Sequence, residues 1–448
     1  MKLKLVVASM SALALLSNPA FAVPQTKHTH HKKIHKTSHH VVVKNDYQEI
    51  VALPIQPAPV TLETEPRIDT YQTILDGMDH NTSRAKPMPD WFNRIGISGG
   101  TNVDLKWGNR RPIYRTENIN RIALNDVYVN FSGVANDWAK AFGSLEFSNP
   151  SQNYSRVYQP INSVTLEQGF VTLGNFDVYP LFLQVGKKFQ DFGRYTIHPL
   201  NRTLAQSLSE SLRTSANLGF ITKMGLHGSV YAFRNTLTVA NQSHPKTVYG
   251  ASIGFDHPND QLGYDVGLGY LSNMAGVNDV ATVFVNPDFA RTPYSPVHNV
   301  GAIAVYADVN SGPFSLGARY TTSIQTFNPL DISSNTVCSQ EENALVGCTF
   351  WHAGTGAGAR LWAADLTAGY GFNAMSKNQN IYLGYQASGN AVNLALPRDR
   401  ILAGYGIDMW KNTNLGLEYT RDYAYGSDKG GPGGATNTVG VRGAVKFG

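Results

Sequence analysis

Hydrophobic and polar side chains alternate along most of the chain after about residue 90. The last twelve residues, 437–448, show the pattern well, because Val439, Val441, Val445 and Phe447 share one side and the residues at the other parity are small or charged. A period of two is typical of a β-strand with one apolar and one polar face. Such a strand needs partners along both edges, and its apolar face needs either a protein core or lipid.

The same alternation recurs at intervals that predict about sixteen strands, counting the C-terminal one. Clear alternation occupies 94–107, 126–131, 140–147, 262–270, 314–321 and 362–371, and weaker strands fit near 164–174, 181–189, 216–224, 226–235, 247–257, 298–309, 379–389, 399–409 and 413–423. A closed up-and-down barrel of the bacterial outer membrane has an even number of strands, which this prediction satisfies.

The links between the predicted strands alternate between short and long. Tight turns at 135–137, 257–260, 310–313 and 411–414 contrast with long links near 108–121, 149–163, 190–215, 273–297, 325–359 and 424–436. Outer-membrane barrels have this asymmetry, with periplasmic turns and extracellular loops, whereas a soluble β-sandwich does not require it. The sequence therefore predicts an all-β fold, a transmembrane antiparallel up-and-down β-barrel with both termini in the periplasm.

Composition agrees with a large membrane sheet. Only 15% of the 448 residues are charged and 11% are aromatic, against about a quarter charged in an average soluble domain. The mean hydropathy is negative, and after the first segment no apolar run is long enough to span a bilayer as a helix. A helical membrane protein is thereby excluded, but a barrel is not, because alternation hides its hydrophobicity from averaging.

The N-terminus predicts export. Basic Met1–Lys4, apolar Leu5–Leu16 and the small residues Ala20 and Ala22 form the three regions of a secretory signal peptide, residues 1–22. The alternative, an N-terminal membrane anchor, needs a longer apolar run. With the barrel, the signal peptide predicts a location in the bacterial outer membrane.

Residues 23–90 differ in composition and predict a mostly disordered periplasmic tail before a barrel domain at 91–448. The tail is rich in proline, and it holds six of the thirteen histidines: His28, His30, His31, His35, His39 and His40. Clustered imidazoles are candidate weak ligands for Zn, Cu or Fe(III). Because they lack an ordered ligand spacing, we favour a solvated basic linker.

Cys338 and Cys348 are the two cysteines of the chain, and they lie in a polar segment. In an exported protein this spacing predicts a disulfide within one loop. Two unpaired thiols, or a metal site that also uses His352, are the alternatives.

The polar faces of the strands provide candidate lumen residues. Lys140, Glu146, Arg319, Asp365 and Glu418 are predicted to line a wet wall, where mixed charges set the field on a permeating solute. Ordinary solvation of the lumen by these side chains is the simpler interpretation for any one of them.

The third long loop, Phe189–Ser215, is the best candidate for narrowing the lumen. Leu204, Leu208 and Leu212 recur every four residues and predict one face of a short helix. The charged residues around it are Asp191, Arg194, Arg202, Glu210 and Arg213. We hypothesise that the loop folds into the barrel and that its arginines form a cationic constriction for an anionic solute; the alternative is a cap on the outer rim.

The strand before this loop and the loop itself, L-F-L-Q-V-G-K-K-F-Q-D-F-G-R-Y-T-I-H-P-L, resemble the LbtU type of outer-membrane barrel, the legiobactin siderophore receptor family. The segments W-F-N-R-I-G-I-S-G-G and S-L-S-E-S-L are similar too, so the resemblance extends over 91–448. It implies a sixteen-stranded barrel that takes up an iron-chelating siderophore without a plug domain, and it carries over no ligand residues. The tail at 23–90 is itself too short and too rich in proline for the folded plug of an energy-coupled receptor.

The predicted function is therefore an outer-membrane channel for small hydrophilic solutes, with a ferric siderophore as the sharpest candidate. A general or other substrate-specific porin is the alternative, and a surface adhesin built on the long loops is the second. No motif links a barrel histidine to a nucleophile, so we do not expect an enzyme. We expect outer-membrane lipid around the barrel, no cofactor and no nucleic-acid partner. Porins of this size are often trimers, but no subunit interface can be identified from the sequence.

Overall fold

The computed structural model of the chain describes residues 95–109, 119–148, 163–176, 178–194, 200–235, 237–238, 244–257, 259, 261–284, 296–334 and 357–447. All of these lie in one structural unit, Ile55–Gly448. The signal peptide, the six tail histidines and the cysteine pair Cys338 and Cys348 lie outside the described residues. The domain boundary near residue 91, the metal-binding alternative and the disulfide therefore stay predictions.

Sixteen antiparallel strands form one closed barrel, which confirms the predicted fold class. The strands are β1 (Ile95–Gly108), β2 (Ile119–Asn136), β3 (Ala139–Ser148), β4 (Ser163–Leu173), β5 (Leu181–Phe189), β6 (Leu212–Ile221), β7 (Leu226–Arg234), β8 (Thr247–His257), β9 (Gly263–Leu271), β10 (Ala302–Ser311), β11 (Phe314–Ser323), β12 (Trp362–Ala374), β13 (Lys377–Gly389), β14 (Asp399–Trp410), β15 (Thr413–Tyr423) and β16 (Ala435–Phe447). Each strand pairs with the next in sequence, and β16 closes the barrel on β1, with Val445 opposite Thr101 and Val441 opposite Leu105. Closure leaves the sheet without free edges.

The two faces of the strands have the predicted characters. On β12, Leu366 is 49% exposed on the outer surface, whereas its neighbour Asp365 is 3% exposed on the inner side. On β16, Val445 is 46% exposed and Arg442 only 4%. Apolar side chains that point out of a closed barrel and polar ones that point in are the arrangement of an outer-membrane barrel, so the predicted outer-membrane location is confirmed at the level of the fold.

Aromatic side chains mark both ends of the outer face. Phe314 and Tyr370 lie with ring centroids 5.0 Å apart near the short turns, and Tyr320 and Trp362 lie 6.4 Å apart near the long loops. Aromatic girdles at the two membrane interfaces are typical of such barrels. Among the described residues, no helix combines the length and the apolarity that a membrane crossing requires.

Eight long connections lie at one end of the barrel and short turns lie at the other. The long ones used below are L3 (190–211, between β5 and β6), L5 (272–301, between β9 and β10) and L6 (324–361, between β11 and β12). By the asymmetry of outer-membrane barrels the long-loop end faces outward from the cell. The predicted helix in L3 exists as α1 (Leu204–Ser209) and L5 contains α2 (Asn278–Thr282), but Leu212 belongs to β6 rather than to the helix.

Candidate functional site: the lumen and loop L3

L3 turns into the barrel directly after β5. The backbone N–H of Gln190 donates to Ser211 O (2.8 Å), and the next turn buries Phe192 completely. Gly193 has φ +82°, and a Cβ atom there would stand 2.8 Å from the Cβ of Ser209. Both the left-handed backbone and the close approach require glycine. The F-Q-D-F-G run thus encodes an inward turn, so L3 lies in the lumen and not on the rim.

Asp191 fixes the start of L3 to the barrel wall. Its carboxylate accepts hydrogen bonds from Ser229 Oγ (2.6 Å) and Asn217 Nδ2 (2.9 Å), and it lies 3.3 Å from the fully buried Nζ of Lys188. Burial disfavours the charged form, but Lys188 and the two hydrogen bonds outweigh it, so the pKa of Asp191 lies below its usual value. Lys188 also donates to Gln184 Oε1 at 2.7 Å. This predicted site residue is therefore an ionised anchor.

Arg194 contacts residues of strands β9, β10 and β11. Its guanidinium forms an ion pair with Asp265 on β9 and lies 3.9 Å from Asp308 on β10. Its backbone carbonyl accepts a 2.7 Å hydrogen bond from Arg319 Nε on β11, and Arg319 Nη2 donates to both carboxylate oxygens of Asp308 at 2.8 Å. Both guanidinium groups lie over the ring of Tyr306, 5.5 and 5.8 Å from its centroid. The alternating charges hold L3 against three neighbouring strands.

L3 reaches the far wall of the barrel at residues 200 and 201. Glu418 of β15 accepts hydrogen bonds from the backbone N–H of Leu200 (2.7 Å) and from Asn201 Nδ2 (2.5 Å), as well as from Tyr382 Oη (2.9 Å). The Asn201 side chain in turn accepts from Lys106 Nζ of β1 at 3.0 Å. L3 therefore extends across the lumen from β5 to the closing strands.

Helix α1 then follows the wall back along β14, β13 and β12. Arg400 Nη1 donates to the carbonyl of Arg202 (3.0 Å), and the Leu204 N–H donates to Gln386 Oε1 (3.2 Å). The Ala205 N–H lies 3.2 Å from an oxygen of Asp365. Thr203 caps the helix by accepting from Gln206 N. Every residue of α1 is buried, although the helix is too short to be stable alone.

A three-residue ion cluster joins L3 to L5. Arg202 lies 3.0 Å from Glu210 and 2.9 Å from Asp279 on α2. Gln206 Nε2 and Asn278 Nδ2 also donate to Glu210, at 2.9 and 3.2 Å. Burial raises the pKa of Asp279 above its ordinary value, and nearby Glu210 adds to this, while Arg202 opposes it. Two carboxylates therefore share one guanidinium in the cluster.

Apolar side chains of L3, L5 and L6 pack with wall residues such as Phe233 and Val248 to form a core inside the outer half of the barrel. Leu204 and Leu208 of α1 are 1% and 0% exposed, and they belong to the same buried cluster as Phe192. L5 and L6 supply most of their partners, including Met274, Val277, Val280, Phe284, Phe327, Ile332 and Leu361. L3 is thus fixed by polar bonds to the wall and by apolar packing to the other loops.

The remaining predicted residues occupy the inner wall. Glu146 is buried on β3, and Lys140 is half-buried nearer the short turns. Arg213 lies on the inward side of β6, opposite Lys188, where its Nη1 donates to the carbonyl of Leu212 at 3.1 Å. Arg213 forms no ion pair with a residue that the structure describes, unlike Arg194 and Arg202.

Sequence reasoning therefore found the loop and the lumen parity but missed the anchoring partners. Arg319, Asp365 and Glu418, predicted as wall residues, are L3 contacts. Asp265 and Asp308 were detectable from the alternation of β9 and β10. Asp279 carried no usable signal, since α2 is only five residues long.

Comparison with known proteins identifies relatives of low sequence identity and solved structures with the same fold. No family model matches the chain. It is 25% identical over 346 residues to a UPF0422 protein of Coxiella burnetii, covering 76% of this chain, and 26% identical over 342 residues to a UPF0422 protein of Legionella pneumophila strain Lens, covering 74%. The matches span 66% and 59% of those proteins' lengths. Neither name states a solute, so the LbtU resemblance is not confirmed by them.

Two solved structures have the same architecture at low sequence identity. Salmonella typhi OmpF in complex with daunomycin matches with a TM-score of 0.51 at 15% identity, covering 79% of this chain and 97% of that one. Pseudomonas putida OprB matches with a TM-score of 0.50 at 10% identity, covering 84% and 96%. The chain is thus similar to UPF0422 proteins of Coxiella and Legionella and has the sixteen-stranded barrel fold of outer-membrane porins.

Proposed function

We propose that this protein is an outer-membrane channel through which small hydrophilic solutes diffuse. The observation that carries the proposal is L3, a loop held across the lumen by bonds from Arg319, Asp365 and Glu418 on three separate strands. A loop fixed inside a closed barrel narrows the polar passage through the barrel without closing it. Selection at such a place depends on size and on the charges that line it. This role is non-enzymatic.

The charges near the constriction are mostly paired, so the hypothesis of a cationic constriction applies to fewer arginines than the sequence suggested. Arg194 and Arg202 each contact two carboxylates, so their field on a passing ion is largely cancelled. Arg213 has no such partner among the described residues and lies beside Lys188 on the inner wall. We therefore assign any anion preference of the channel chiefly to Arg213.

Replacing Arg213 with alanine is expected to lower the anion-to-cation permeability ratio about twofold. A unit charge acts on an ion about 8 Å away in water with about 0.5 kcal/mol, which corresponds to that factor. Reversal potentials of the purified protein in planar bilayers under a salt gradient measure the ratio. Arg421→Ala is the matched control, because it removes the same charge from an exposed site at the outer end of β15. An unchanged ratio in the Arg213 variant would exclude the assignment, and absence of conductance in the unaltered protein would favour an adhesin.

The finer proposal is that the solute is a ferric siderophore. Its support is the resemblance of the L3 region to the LbtU type of barrel, together with a tail at 23–90 that is too short for a plug domain. Ferric siderophores are polar chelates, and a lumen with both signs of charge suits their uneven charge distribution. The LbtU resemblance implies a barrel without a plug to couple energy, so siderophore entry would follow the concentration gradient.

A strain that lacks this protein is expected to grow poorly under iron limitation when its siderophore is supplied at low concentration. Growth should recover with the full-length chain, while uptake of sugars and amino acids stays the same in both strains. The second measurement separates a siderophore channel from a general porin. Equal losses of siderophore, sugar and amino-acid uptake would contradict the finer proposal and leave the channel proposal intact.

A further inference from the structure

The outer face of strands β5 to β9 has a shallow groove near its long-loop end. The groove encloses about 440 Å³. Its floor is made of small residues, Ala216, Ala232 and Ala251, where most of the outer face carries larger side chains. Tyr249 and Tyr270 form one border and are 60% and 43% exposed. A concave apolar surface of this kind, open to the membrane, fits an extended hydrocarbon chain.

Strand register sets a polar row directly outside this groove. Ala216 pairs with Ala232, and Ala232 pairs with Tyr249, so these outward residues lie at one level of the membrane. Two residues nearer the loops, Lys187 pairs with Thr214. Arg234 pairs with Thr247 at the end of β7. Cations and hydroxyl groups therefore follow the apolar groove at the membrane edge.

Two of the cations at this edge, Arg234 and Lys246, are exposed, and neither forms an ion pair with a residue that the structure describes. The loop 235–246, N-T-L-T-V-A-N-Q-S-H-P-K, contains no Asp or Glu. Lys187 donates one hydrogen bond to the carbonyl of Leu166 (2.6 Å), and the buried carboxylate of Glu167 on β4 partly offsets its charge. The backbones of β5 and β7 lie about 10 Å apart, two strand spacings.

We propose that this surface binds a phosphorylated lipid of the outer leaflet, a lipopolysaccharide. One acyl chain lies in the groove over Ala216 and Ala232. The phosphate groups form ion pairs with Arg234, Lys246 and Lys187 and accept hydrogen bonds from them. The long loops place this end of the barrel at the outer leaflet, which is where such a lipid is found. Charge-assisted hydrogen bonds to phosphate supply specificity that the hydrocarbon contact alone lacks.

A two-fold contact with a second copy of the chain fits this face less well than a lipid does. In a two-fold contact the same patch meets itself, so Arg234 and Lys246 would approach the Arg234 and Lys246 of the other copy. Like charges brought together in this way oppose association. An anionic amphiphile provides both a hydrocarbon chain for the groove and negative charge for the cations beside it.

The test measures lipopolysaccharide retained by the refolded full-length barrel after gel filtration in detergent, as lipid phosphate per protein. The double variant Arg234→Ser, Lys246→Ser should bind about a hundredfold more weakly, since each of the two lost charged hydrogen bonds corresponds to about one order of magnitude. Ala232→Leu, which fills the groove, should also weaken binding. Arg421→Ser, at the same end on the opposite side, should bind like the unaltered protein. Heat-modifiable migration on a gel confirms folding of each variant.

Two further measurements make the result decisive. Enzymatically dephosphorylated lipopolysaccharide should bind the unaltered barrel as weakly as intact lipid binds the double variant. Molar mass by light scattering records the oligomeric state. Equal retention by the unaltered and double-variant proteins would overturn the proposal, as would variants that change the oligomer but not the lipid, which would identify the face as a contact between copies. Neither outcome bears on conductance, so the channel proposal is tested separately.

Discussion

Replacing Glu418 with glutamine is expected to release the crossing segment of L3 from the barrel wall. The carboxylate accepts from both Leu200 N–H and Asn201 Nδ2, and it is 1% exposed. Glutamine keeps one oxygen, so the two donors on the other one, either Leu200 N–H and Tyr382 Oη or Asn201 Nδ2 and Thr420 Oγ1, instead face the new amide group. Hydrogen bonds to charged groups contribute about 1.5–3 kcal/mol each, so the released fraction of L3 should rise by one to two orders of magnitude at about 1.4 kcal/mol per tenfold. Single-channel recordings should show larger open-channel current fluctuations, and trypsin should cleave after Arg202 faster.

Asp104→Asn is the matched control for this variant. Asp104 is also a buried lumen carboxylate, 2% exposed, but it pairs with Arg442 of β16 (2.7 Å) and Lys106 of β1 (3.3 Å). No described residue of L3 donates to Asp104, and its one link to the loop is indirect, through the bond from Lys106 to Asn201. Its loss should lower the unfolding temperature without raising the current fluctuations. If Glu418→Gln and Asp104→Asn have the same effect on trypsin cleavage at Arg202, then Glu418 does not anchor L3.

The features of the fold that the sequence predicted are those that depend on residues close together in the chain. Strand alternation is local, so the lipid-facing Leu366 and the lumen-facing Asp365 could be assigned from their immediate neighbours. Turn residues are also local, which is why the strand count is confirmed and the loop L3 lies at its predicted place in the chain, between β5 and β6. The C-terminal strand Ala435–Phe447 has the predicted parity for the same reason.

The anchors of L3 could not be predicted, because they join positions far apart in the chain. Leu200 and Glu418 are 218 residues apart, and Ala205 and Asp365 are 160 apart. Only the closure of β16 on β1 and the depth of the loop bring these groups together. The prediction that Leu212 extends the helix was wrong because α1 ends at Ser209, where the chain must return to pair with β5.

The apolar core above the constriction shows why a loop can be essential to a channel's shape while the wall is stable without it. The strands keep their backbone hydrogen bonds through neighbouring strands, so the barrel does not depend on L3. The position of L3, in contrast, depends on Phe192, Leu204 and Leu208 being buried against L5 and L6. Disrupting that cluster should therefore change conductance more than it changes the assembly of the barrel.

Leu208→Asp should have the largest effect on the channel for this reason. Leu208 is fully buried in the apolar cluster, and an unpaired charge placed in such a site costs on the order of 4 kcal/mol or more. The short helix α1 is not stable without this packing, so L3 should leave the cluster. Single-channel conductance should then rise, and Arg202 should become accessible to trypsin. Leu208→Met is the matched control, because it conserves volume and should cost less than about 1.5 kcal/mol. Since the strand ladder stays intact, the Asp variant should still fold into a heat-modifiable barrel. Unchanged conductance and unchanged cleavage in that folded variant would mean that packing against L5 and L6 does not hold L3 in the lumen.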